Sequence, residues 1–96
     1  MSTRGGGHRF PVFAARLRQA REQCGLLQGD CARRCGVSIQ VWSNWEHGWR
    51  VPGTARETRD IADLLRADPA WLLGMTDVRR PWPPDPAQGV DEPGPP

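Results

Sequence analysis

The sequence predicts an all-α fold of five short helices, and three observations predict it. Apolar residues recur at helical spacing, with Phe13, Leu17, Ala20 and Cys24 at i, i+4, i+7 and i+11, which sets them on one face. Helix signals follow one another closely: Pro11, Ser38, Thr54 and Asp68-Pro69 suit helix starts, and Gly25 and Gly74 suit stops. Finally, 96 residues at 38% hydrophobic content suffice for one small helical core, and no second domain fits.

The first helix is expected from about Pro11 to Cys24, with Gly25 stopping it and the Phe13 face turned to the core. Two short helices follow, about Gln28 to Cys35 and about Ile39 to His47. Between them Gly36 can take the positive φ of a tight turn, Ser38 can cap the next helix, and Ala32 is small where two helices must cross closely. The fourth helix is announced by the capping box Thr54-Ala55-Arg56-Glu57, in which each side chain satisfies the other's backbone N–H, and it carries Ile61, Leu64 and Leu65 inward. Asp68 caps the fifth, Pro69 opens it, Trp71 and Leu72 lie in it, and Gly74 ends it.

Both ends differ in composition from this body. Residues 1–9 hold Gly5-Gly6-Gly7 and no apolar pattern, and read as a flexible arm; residues 10–75 read as the folded domain. Residues 76–96 read as a disordered tail, because seven of the last 16 residues are proline. Trp82, within Arg80-Pro81-Trp82-Pro83-Pro84, fits either an extended tail or a polyproline-type motif for a protein partner.

Charge is distributed unevenly. Residues 1–50 hold eight arginines against three acids, residues 51–96 five arginines against eight, so the net charge of +2 is the sum of a basic half and an acidic one. The basic half contains the two short helices and the turn, as contact with nucleic-acid phosphates requires. No apolar run has transmembrane length and no leader with a cleavage site opens the chain, which points to the cytoplasm and to no membrane. Three cysteines without a disulfide framework agree with a reducing compartment.

Gln28, the turn Gly36-Val37-Ser38 and the closing run Trp45-Glu46-His47-Gly48 together resemble the Cro/phage-repressor (XRE-type) helix-turn-helix family. The similarity extends from about residue 12 to Trp71-Leu72-Leu73-Gly74, through Ile61-Ala62 and Leu64-Leu65. It implies a five-helix lambda-repressor-like domain, encoded by a bacterium or phage and working on the nucleoid, whose partner is double-stranded DNA. The third helix then enters the major groove.

On that expectation Gln40 and Asn44, one turn apart, are the base readers, since Gln and Asn bond bidentately to adenine N6 and N7; Ile39 and Val41 can pack on a thymine methyl. Gln28 leads the expected phosphate contacts, as the resemblance implies, followed by His47, Arg50 and Arg18, while Arg4 and Arg9 of the arm are further candidates. The resemblance also pairs Arg21 with Glu46. A two-fold dimer on an inverted repeat is expected because one motif buries too little surface for a selective site, with Trp71, Leu72, Leu73 and Met75 as its interface.

The chain also departs from the family pattern. Leu27 stands where a capping Thr or Ser is usual and Gly29 lies in the first turn, each weakening the second helix by about 1 kcal/mol. Cys31 and Cys35 replace Leu, and Trp42 replaces Ile or Val, which reads as volume exchanged between facing helices. Buried thiols are favoured over a metal or redox site, because there is no Cys-x-x-Cys and the cysteines fall on core positions; no cofactor or metal is expected. No catalytic constellation is found, so the expected role is a transcriptional regulator, a repressor by operator occupancy, and not an enzyme. The alternative is a protein-interaction module on the same fold, an antitoxin or adaptor.

Overall fold

A computed structural model describes residues 9–84. Among them the chain forms five helices and no strand: α1 (Pro11–Gln23), α2 (Gln28–Arg34), α3 (Ile39–Glu46), α4 (Ala55–Leu65) and α5 (Pro69–Leu72). Residues 1–8 of the expected arm, with Arg4, and residues 85–96 of the expected tail lie outside the described residues.

The helix boundaries follow from local chemistry. Ser38 Oγ accepts the Val41 N–H at 3.1 Å, starting α3, and Gly36 at φ +72° makes the turn that reverses the chain after α2. No side chain caps α2 at Leu27, which is mostly exposed. At α4, Thr54 Oγ1 accepts the Glu57 N–H as expected, but the Glu57 carboxylate accepts from Gly53, one residue upstream of the reciprocal partner. The box is thus closed one residue earlier, on the Gly53 N–H in place of that of Thr54. Asp68 caps α5 through the Ala70 N–H.

One stop has no glycine signal. Arg66 takes the left-handed conformation at φ 55°, a geometry that costs a non-glycine residue about 1 kcal/mol. It carries Ala67 and Asp68 into the interior, where the Ala67 N–H donates to Ala62 O at 3.1 Å.

The core gathers Phe13, Leu17 and Ala20 of α1, Cys31 and Ala32 of α2, Trp42 and Trp45 of α3, Ile61 and Leu65 of α4, and Trp71 and Leu72 of α5. Three expectations are corrected by this packing. Cys24 is exposed, because it lies past the last helical residue and its thiol turns to Leu65 O at 3.5 Å. Trp71 and Leu72 are 6% and 0% exposed and complete the core of the single chain, so neither is available to a dimer interface; Leu73 and Met75 remain exposed. Residues 76–84 do not leave the body as an unpacked tail: Thr76, Asp77 and Arg79 bond to α1 and Trp82 bonds to α4.

Candidate nucleic-acid interface

The two faces of α3 are built from different chemistry. Its inner face presents Trp42, Trp45 and Glu46, with the two indole rings tilted at 5.6 Å, a separation typical of stabilising aromatic pairs. Burying a carboxylate among indoles is costly unless donors surround it. The fold supplies them from three helices. Arg21 of α1 donates through Nε at 2.5 Å to Oε2 and through Nη2 at 3.0 Å to Oε1; Gln28 of α2 donates Nε2 at 3.0 Å to Oε1; Trp42 donates its indole N–H at 2.6 Å to Oε2.

This network fixes how α3 sits on α1 and α2. Desolvation pushes the Glu46 carboxyl pKa up, but the hydrogen bonds from Arg21, Gln28 and Trp42, with the Arg21 charge, outweigh it and hold the pKa below the ordinary carboxylate value. The hydrogen bond from Glu46 raises Arg21 in turn, against its own desolvation. Arg21 also donates to Leu26 O at 2.9 Å, tying down the loop before α2. Among the described residues, no buried side-chain polar atom lacks a partner.

The outer face of α3 carries Ile39, Gln40 and Val41, all exposed, and the half-buried Asn44. Gln40 Nε2 donates to Asn44 Oδ1 at 3.3 Å, so the two expected base readers touch each other on one surface row. Beyond that bond each amide has further donor and acceptor capacity.

The expected phosphate contacts fall in two places. Arg18 and His47 line one cleft between α1 and the end of α3, with the Arg18 Nε 3.8 Å from Glu46 Oε1 and its side chain 55% exposed. His47 Nδ1 donates to Ser43 O at 2.7 Å, which sets the ring's orientation. Arg50 lies in a neighbouring cleft with Arg9, Phe10 and Trp49. The Phe10 N–H donates to Gly48 O at 2.9 Å, so the residue before α1 is attached at the end of α3.

Gln28 has a partner inside the protein. It is half-buried and donates to Glu46, because the buried carboxylate needs donors and the first residue of α2 lies within reach of Oε1. Sequence reading also missed the Trp42 bond to Glu46. The i, i+4 spacing of Trp42 and Glu46 was the available signal, since it sets both on one helical face.

Burial pushes the thiols of Cys31 and Cys35 up to about 11, which keeps them protonated at neutral pH. Among the described residues no group of three His, Cys, Asp or Glu is placed to hold a metal, and no helix is long and apolar enough to cross a membrane.

A helix-turn-helix domain family model matches residues 12–72, well over half of the chain. No curated protein and no solved structure matches the chain.

Proposed function

This chain belongs to the helix-turn-helix domain family, in the Cro/phage-repressor class of DNA-binding regulators, and from that premise we propose that it represses transcription by occupying an inverted-repeat operator as a two-fold dimer. The observation that carries this reading is the division of α3 into a face closed by the Glu46 network and a face whose polar side chains bond only to each other. Gln40 and Asn44 read adenine edges in the major groove, and Ile39 and Val41 pack on thymine methyl groups.

Arg18, His47 and Arg50 hold phosphates on either side of the groove, with Arg9 added from beside Phe10. Gln28 keeps one amide hydrogen beyond the one given to Glu46, so it can hold α2 against α3 and meet a phosphate together. Its contact is shared by all sequences, whereas those of Gln40 and Asn44 depend on the base pair. With Trp71 and Leu72 committed to the core, Leu73 and Met75 are what remains of the expected apolar interface at the end of α5.

A footprint on the bound operator, together with sedimentation of the complex, tests the reading. The expected result is two equivalent protected half-sites about 10 bp apart and two chains per operator. One chain per operator at saturation, with an asymmetric footprint, would contradict the dimer. Absence of any salt-dependent binding to duplex DNA would contradict a DNA-binding role and favour the interaction module.

A further inference from the structure

Residues 76–82 lie beyond the span of the family match, yet they are held to the body at several separate points. Arg16 of α1 donates to Trp71 O at 2.6 Å, to Thr76 O at 2.9 Å and to Asp77 Oδ1 at 3.1 Å. Arg79 donates to Gln23 Oε1 at 2.6 Å, and its guanidinium lies 4.6 Å from the Trp71 ring, which Arg16 also approaches at 4.9 Å. Trp71 is thus contacted by two cations, an arrangement favourable to an aromatic ring. At the end of the segment Trp82 lines an apolar groove with Ala55, Thr58 and Arg59 of α4, Pro69 of α5 and Leu73, and its indole N–H donates to Asp63 Oδ1 at 2.8 Å.

Apart from Trp82 the groove is lined by Ala55, Thr58, Arg59, Pro69 and the exposed Leu73, and charges flank it in a particular order. Arg59 and Asp63 are one turn apart on α4, and among the described residues neither is in an ion pair. A two-fold axis between them would set Arg59 of each copy against Asp63 of the other, because an isologous contact joins i to j and j to i. Asp63 is also the group that Trp82 occupies.

We propose that residues 76–82 are an intramolecular latch: Trp82 closes the α4–α5 groove against a second copy of this chain, and its release opens a two-fold surface in which Arg59 and Asp63 pair reciprocally. The latch and the partner compete for one groove and one carboxylate. The dimer it regulates is the one in the proposed function, and the latch itself is tested without DNA.

Sedimentation equilibrium of the full chain decides. Trp82→Ala should self-associate about tenfold more tightly than the unsubstituted chain, since displacing the latch no longer opposes association. Adding Arg59→Asp should abolish the gain, and adding Asp63→Arg as well should restore it. Trp82→Phe, which keeps a smaller ring in the groove and loses the indole N–H, should give a smaller gain and serves where Trp82→Ala lowers helical content. No gain in either folded variant, or a gain indifferent to Arg59→Asp, would overturn the latch. A gain without DNA alongside one chain per operator would leave the latch standing and discard only the dimeric operator complex.

Discussion

On its inner side α3 brings every polar atom of Glu46 to a partner, and on its outer side it leaves Gln40 and Asn44 with little but each other. The same eight residues thus form both a closed and an open polar surface. A buried carboxylate tolerates no missing donor, so the inner face is a rigid support. The outer face gains from being incomplete, because atoms already satisfied within the protein would have nothing to offer a base edge. Removing a group from the first face should cost folding; removing one from the second should cost selectivity.

The largest effect is expected at the centre of the closed face. Glu46→Ala leaves the largely buried Arg21 guanidinium without its counterion and should lower stability by about 3–5 kcal/mol, read by thermal or urea unfolding. Adding Arg21→Leu should recover part of the loss, and strict additivity in the double-mutant cycle would show that the pair does not act as a unit.

Acid probes the same group. Its folded pKa is lowered, so its contribution is fully present above the unfolded value of about 4.3 and is lost as pH falls through the folded value. Unfolding free energy should therefore fall below about pH 4, and Glu46→Gln should flatten that dependence.

The open face predicts a different signature of smaller size. Gln40→Ala and Asn44→Ala should each lose about 1–3 kcal/mol at a cognate site and almost nothing on random duplex, with the melting temperature unchanged. If cognate and random affinity fall together, these side chains are phosphate contacts and the division between the faces is wrong.

Much of this arrangement was legible in the sequence because it rests on local rules. Ser38, Thr54 and Asp68 cap helices through their own neighbours, and Gly36 turns the chain by its own torsion angle. The candidate base row was equally local, since Gln40 and Asn44 are one turn apart. What the residues alone did not reveal is long-range choice of partner. Gln28 turns inward because Glu46 is buried beside it, Trp71 and Leu72 are covered because α1 and α4 close over them, and Trp82 finds Asp63 across the surface. Arg66 shows the converse: a left-handed stop carried by a residue with no preference for it, imposed by the packing of Ala67.

The smallest effect sharpens the comparison at the support of the open face. Gly29, in the uncapped first turn of α2, has room for a methyl group, whose nearest neighbour would be Ile39 Cδ1 at 3.7 Å. Gly29→Ala should raise stability by up to about 1 kcal/mol through helix propensity. A destabilised variant would mean that this turn draws on the freedom of glycine.

Selection of bound sites from a pool of random-sequence duplexes, by the unsubstituted chain and by Gln40→Ala in parallel, tests the central claim most directly. The account predicts that the unsubstituted chain enriches one inverted repeat and that Gln40→Ala enriches the same repeat with preference lost at one matched position in each half-site. Enrichment of no sequence by the unsubstituted chain, or identical enrichment by both chains, would contradict the assignment of the open face of α3 as the reader.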